Sequence, residues 1–204
     1  MDSQAPSSDK GQNFLPFIVT FPRLNRLTIR ERMKKISFRN DILPLKNELY
    51  RLALRITLNP AEAEDIVQET MIKVWNRRDQ WDEIESIEAF CLTICRNLAL
   101  DKMHKMENQN QSLDEGVHDA PDRSFSSNPE EQAMQQDRLA LIRRLIDALP
   151  EKQRTVMQLR DFEGKSYKEI AGIMAISEEQ VKINIFRARQ AIRQKYIETE
   201  KYGL

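Results

Sequence analysis

Four groupings of side chains have the types and spacing to do chemistry. Cys91 and Cys95 lie four residues apart, the helical spacing at which two thiolates can share a metal. His104 follows more than two turns later, so the ligand set stays incomplete, and the thiols read as small core residues. Glu130 and Glu131 are adjacent and point apart on a helix, which suits helix-start charge rather than acid–base catalysis. Asp65, Gln68 and Glu69 recur at i, i+3 and i+4, so three acceptors share one polar helix face. Residues 180–197 carry Lys182, Arg187, Arg189, Arg193 and Lys195 with no acid among them. No nucleophile–base pair and no metal cluster stands out, so no catalytic residue, metal, cofactor or small-molecule substrate is expected.

The basic stretch belongs to the strongest local pattern, SYKEIAGIMAISEEQVKINIFRARQAIRQK at 166–195. A short amphipathic helix with Ile170, Ala171 and Met174 meets a turn and then a longer basic helix. Ser177 is a good N-cap, and Gln180 three residues on completes a capping box. Subtracting Val181, Ile185 and Ala188 as core leaves Lys182, Ile183, Asn184, Phe186, Arg187 and Arg189 facing outward. Lys and Arg donate to guanine or phosphate, Asn184 can pair with adenine, and Ile183 and Phe186 suit a thymine methyl. This is the form of a helix-turn-helix with its second helix in a DNA major groove. The bland alternative is a solvated basic face.

The elements that must position these groups read as helices throughout. Leu45, Leu49, Leu52, Ala53 and Ile56 form one stripe. Ile66, Val67, Met71, Val74 and Trp75 form a second, behind the Asp65–Gln68–Glu69 face. Asn59-Pro60 separates the two. Residues 77–86 read as a loop, and a third helix runs from about Ile87 to Met106. Helicity resumes near Pro129 through Met134, Leu139, Ile142, Leu145, Ile146 and Leu149. Pro150 opens another helix, ended by a left-handed cap at Gly164. The last helix runs from Glu178 to about Tyr196. The fold class is therefore all-α: two small helical domains joined by a flexible linker.

Charge patterning agrees. The 32 basic and 32 acidic residues cancel overall. Residues 1–40 hold 8 basic and 3 acidic groups, whereas residues 107–137 hold 1 basic and 8 acidic. The expected organisation is a poorly structured extension over 1–40, a helical domain over 41–107, an acidic flexible linker over 108–129 and a second helical domain over 130–204. Met33 opens MKKISFRND, which reads like a natural start and would make residues 1–32 dispensable. Only five glycines, three of them (Gly11, Gly116, Gly203) in tails or linker, exclude a phosphate-cradling loop. No run of 18 apolar residues suggests membrane insertion, and two lone thiols suit a cytoplasmic location.

The segment LPEKQRTVMQLRDFEGKSYKEIAGIMAISEEQVKINIFRARQAIR at 149–193 closely resembles region 4 of the extracytoplasmic-function (ECF) sigma factors of bacterial RNA polymerase. NPAEAEDIVQETMIKVW at 59–75 is similar to their region 2.2, and AFCLTICRNLALDKMHK at 89–105 to regions 2.3–2.4. The resemblance spans about residues 41–195. It implies that Asp65, Gln68 and Glu69 face the β′ clamp helices of core RNA polymerase. It implies that Asn97 lines a pocket for a base flipped from the −10 element, with Arg77, Arg78, Lys102, His104 and Lys105 on its phosphates. Trp81 would stack on a base or anchor its loop. Lys182, Ile183, Asn184, Phe186, Arg187 and Arg189 would contact the −35 element of promoter DNA. An anti-sigma factor is a further implied partner. The acidic linker would mimic nucleic acid in the polymerase channel.

This sequence departs from the family pattern in places. Phe90 stands where relatives usually have Trp, and Met71 where they have Phe. Ala175 stands in the turn where Gly is common, and Ile183 and Asn184 where many carry Ser and Arg. The rival reading is a dimeric helix-turn-helix regulator that binds DNA without polymerase, with residues 41–107 as its dimerisation module.

Overall fold

The computed structural model describes residues 36–109 and 129–202. The proposed start at Met33, the extension before residue 36 and residues 110–128 of the linker expected over 108–129 lie outside them, whereas residues 108, 109 and 129 are helical. Among the described residues there is no strand. We number the α-helices α1 (Lys46–Thr57), α2 (Pro60–Asn76), α3 (Ile87–Gln109), α4 (Pro129–Asp147), α5 (Glu151–Met157), α6 (Tyr167–Met174) and α7 (Glu178–Tyr202). A π-helical turn over Phe38–Ile42 already precedes α1, so helical structure begins before the expected Asp41.

In α1, Leu49, Leu52, Ala53 and Ile56 are buried at i, i+3, i+4 and i+7, the spacing of one helix face. They meet Ala63, Ile66, Val67 and Val74 of α2 and Cys91, Leu92, Cys95 and Ala99 of α3, so three helices share one core. Each fully buried Leu or Ile side chain contributes about 1.5–3 kcal/mol there. Leu58 ends α1 in the left-handed region at φ 56°, its N–H donating to Leu54 O. The Asn59 side chain then accepts from the N–H groups of Ala61 and Glu62, with Pro60 at the first helical position.

Two expectations need correction. Residues 77–86 are not simply a loop: Arg78–Glu83 is a 3₁₀ helix. Its reason is Trp81, which is buried and donates its indole N–H to Val74 O at 3.1 Å. Trp75, expected in the core stripe, is instead 47% exposed. It stands edge-on between the rings of Phe38 and Trp81, at centroid distances of 5.3 and 6.2 Å. Trp81 takes the interior position because the short helix folds it back onto the end of α2.

In the second domain α5 runs into a π-helical turn over Gln158–Phe162. Gly164 then takes φ +70°, and Lys165 N–H reaches back to Leu159 O at 2.9 Å. Without a Cβ, Gly164 adopts this conformation at no steric cost. Ser166 and Glu169 form a reciprocal capping box that starts α6. Leu139, expected in the apolar stripe of α4, is 47% exposed, while Ile146 and Leu149 are buried against Met157 and Ala188. Helix α7 continues to Tyr202, beyond the expected Tyr196.

The two domains pack directly on each other: α6 lies against α3 and α5 against α1. Val156, Leu159, Ile170, Ile173 and Val181 join the apolar cluster that contains Leu49 and Leu92. Polar groups line the same junction. Arg154, itself buried, donates to Ile56 O at the end of α1 and to Asp147 O. Arg55 pairs with Asp147, Arg51 with Glu163, and Lys165 with both Glu48 and Glu88.

Candidate functional site

Three exposed faces carry the singled-out residues. On α2, burial of Ala63, Ile66, Val67, Thr70 and Val74 fixes the rotation of the helix. Asp65, Gln68 and Glu69 are left exposed on the opposite side, as their spacing predicts. Glu69 also accepts from Lys73 at 3.0 Å, one turn on. Exposed carboxylates of this kind can accept charge-assisted hydrogen bonds from a basic partner.

On α3, burial of Cys91, Cys95 and Ala99 turns Asn97 outward. Its Oδ1 lies 3.4 Å from Arg96 Nη1. The Arg77 guanidinium sits over the Phe90 ring at 5.7 Å. Phe90 lies two turns before Asn97 on the same helix face. Arg78 covers the Trp75 ring at 5.2 Å and reaches Trp75 O at 3.4 Å. His104 and Lys105 are exposed. Lys102 is held by Glu62 of α2 at 2.8 Å, and that hydrogen bond raises its pKa. A groove of about 180 Å³ between α2 and α3 takes in Asp65, Glu69, Lys102 and Lys105. Two groups of site residues expected to serve different partners thus border one groove.

On α7, Ser177 and Gln180 cap each other with reciprocal 3.2 Å hydrogen bonds, as their spacing predicts. Val181, Ile185 and Ala188 are buried. Lys182, Ile183, Phe186, Arg187 and Arg189 are exposed. Two of the six outward residues are otherwise engaged. Asn184 donates its side-chain amide to Gln180 O at 2.8 Å. Arg189 forms a two-point contact with Asp161. Lys182 stands over the Tyr167 ring at 5.8 Å. Ala175, in the turn before α7, takes φ 53° and ψ 45°, the left-handed conformation that favours glycine.

The cysteines are core. Both are fully buried, and burial pushes each thiol up to about 12. Among the described residues no cluster of three or more potential ligands could hold a metal ion. No helix there is long and apolar enough to cross a membrane.

Sequence reasoning missed the junction residues Lys165, Glu48, Glu88, Arg154 and Glu163, because their partners are distant in the chain. The second capping box was visible as Ser166-x-x-Glu169 but passed over.

Comparison with known proteins follows the same division. Residues 42–108 match sigma-70 region 2, and residues 139–192 match sigma-70 region 4. The chain is 32% identical over 146 residues to the ECF RNA polymerase sigma factor SigL of Mycobacterium tuberculosis, covering 71% of this chain and 80% of that protein. It is 29% identical over 156 residues to the probable RNA polymerase sigma factor RfaY of Xanthomonas campestris, covering 75% of this chain but only 38% of that longer protein. Its fold is similar to that of the sigma factor RpoE of Bartonella quintana, solved with the anti-sigma factor NepR. The TM-score is 0.63 at 23% identity, over 77% of this chain and 94% of that one. The two matched regions, in this order, and the 32% identity to SigL place the protein in the extracytoplasmic-function sigma factors of the sigma-70 family.

Proposed function

We propose that the chain docks on the β′ clamp helices of core RNA polymerase through Asp65, Gln68 and Glu69. It opens the −10 element around Asn97, with Arg77, Arg78, Lys102, His104 and Lys105 on the displaced strand. It reads the −35 duplex with α7, through Lys182, Ile183, Asn184, Phe186, Arg187 and Arg189. The domains that divide this labour are residues 41–107 and 130–204, with 108–129 as connection. The chain acts by binding alone, in the cytoplasm, with no catalytic step of its own. An anti-sigma factor is its expected regulator, by analogy with the NepR-bound relative.

The supporting observation is that one chain exposes an acceptor face on α2 and, on α7, basic side chains from a stretch, 180–197, that holds no acid. The first suits a basic protein helix, the second the phosphates and base edges of duplex DNA. Run-off transcription by core polymerase, with and without the full chain, over a genomic promoter library tests this. New start sites that depend on the chain are expected. Absence of new starts, together with tight binding of the free chain to a palindromic duplex, would replace the proposal by the dimeric regulator.

A further inference from the structure

The outward face of α7 divides into engaged and presented groups, and the division points to a particular base. Burial of Val181, Ile185 and Ala188 sets the helix rotation, and the Ser177–Gln180 cap sets its start. The amide of Asn184, the best adenine reader on this face, already donates to Gln180 O. Arg189 is held by Asp161. Beside the exposed Glu178, Glu179, Gln180 and Lys182, α7 presents two large apolar side chains in its first turns. Ile183 is 48% and Phe186 66% exposed, three residues apart and so neighbours on the helix surface. Lys182 and Arg187 flank the pair and supply the positive charge that a phosphate backbone requires.

Thymine alone among the four bases carries an apolar group, its C5-methyl, on the major-groove edge. We infer that Ile183, supported by Phe186, reads the methyl group of a thymine in the −35 duplex. This inference rests on the proposal that α7 is the −35 reader, and it assigns the discriminating role to the apolar Ile183 rather than to a polar neighbour. A serine hydroxyl can bond any base that offers an acceptor or donor. An isoleucine gains contact area only from the methyl and leaves polar base edges without a partner.

The test uses full-length chain with core polymerase on a promoter that it initiates from. Each −35 thymine is replaced in turn by deoxyuridine, which removes the methyl and keeps base pairing. One such replacement is expected to lower open-complex formation about four-fold, the value of burying one methyl-sized group. With Ile183→Ala, the same replacement should have little effect. If uracil is tolerated at every −35 thymine by the native chain, the inference falls while the −35 assignment stands. An equal loss in native and Ile183→Ala holoenzymes would also overturn it. Chain-dependent initiation that ignores the −35 sequence altogether would remove both the inference and the reading beneath it. The native-chain comparison needs no variant to fold.

Discussion

Lys165 of the second domain places its ammonium between Glu48 of α1 and Glu88 of α3, at 2.8 and 2.5 Å. The lysine is 9% exposed. Burial alone would lower its pKa, but the hydrogen bonds it donates to the two carboxylates prevail and raise it above 10.5. One side chain thus ties three elements together across the domain junction. The apolar contacts there are non-directional; this contact, with those of Arg51, Arg55 and Arg154, adds direction to how the domains meet.

Replacing Lys165 by Met should therefore loosen the junction more than deleting a surface charge would. It strips the shared cation from Glu48, which is largely buried, and leaves that carboxylate facing Glu88. Breaking a buried pair from one side costs about 3–5 kcal/mol, and the half-exposed Glu88 argues for the lower end. The urea midpoint should fall, and the radius of gyration from solution scattering should rise. Because the folded pKa is raised, this contribution is complete below pH 10.5 and disappears as pH climbs through the folded value. A Lys165→Met chain as compact and stable as the native one would refute the assignment.

Acid should act on the same junction through two carboxylates of opposite sign. Burial tends to raise Glu163, but the hydrogen bonds from Arg51 and Gln158 outweigh it and hold the pKa below 4.5. Its stabilisation is present above pH 4.5 and is lost as pH falls through the depressed folded value. Glu48 is the reverse case. Burial raises it above 4.5 despite Lys165, so its charge costs stability at neutral pH, and the cost vanishes on acidification. Urea midpoints between pH 3 and 6 should show a shallower acid loss in Glu163→Gln and a steeper one in Glu48→Gln. Parallel curves for all three chains would contradict both assignments.

Ala175 adopts φ 53° in the turn of the helix-turn-helix, where a Cβ is unfavourable. It is exposed, so its methyl packs against little. Ala175→Gly is expected to stabilise the chain by about 1 kcal/mol, since relief of the left-handed strain exceeds the added freedom of the unfolded glycine. The change in urea midpoint measures it, and a drop would count against strain at this turn.

That turn shows what a sequence discloses and what it withholds. The Ser177–Gln180 cap and the buried Val181, Ile185 and Ala188 follow from rules acting within four residues, whereas the left-handed Ala175 is hinted at only by the family resemblance. The acceptor face of α2 follows from helical period in the same way. Trp75 and Trp81 were harder, because both are large and apolar and lie near one helix end. Only the fold-back of the 3₁₀ helix decides which of them is interior. The Lys165 contacts had no local signature at all: Glu48 and Glu88 lie 117 and 77 residues away, and a lysine in a polar stretch reads as solvated.

Cys91 and Cys95 should be silent in the native protein. Both thiols are displaced to about 12, chiefly by burial, and Cys95 also reaches Leu49 O at 3.3 Å. At pH 8 the thiolate, the reactive form, is then scarce and shielded. A thiol-reactive dye should label neither residue in buffer and both in denaturant. Rapid labelling of the folded chain would mean that the core around α3 opens readily.

Glu62 links the two groups of residues proposed for polymerase and for the −10 strand. Its carboxylate holds Lys102 at 2.8 Å across a groove whose lining includes Asp65 and Glu69. A cation so placed offers a phosphate less of its charge and fewer free N–H donors than an unpaired one. Solvent-exposed pairs of this kind are weak, so Glu62→Gln should strengthen binding of a −10 single strand only modestly, by up to about five-fold. Lys102→Gln should weaken it and reduce the slope of log affinity against log salt by about 0.7, the value for one phosphate contact on a single strand. The gain from Glu62→Gln should vanish in the double variant, because the glutamate acts only through the lysine it restrains. A gain that persists without Lys102 would show instead that Glu62 repels the strand directly, as one more negative charge beside it.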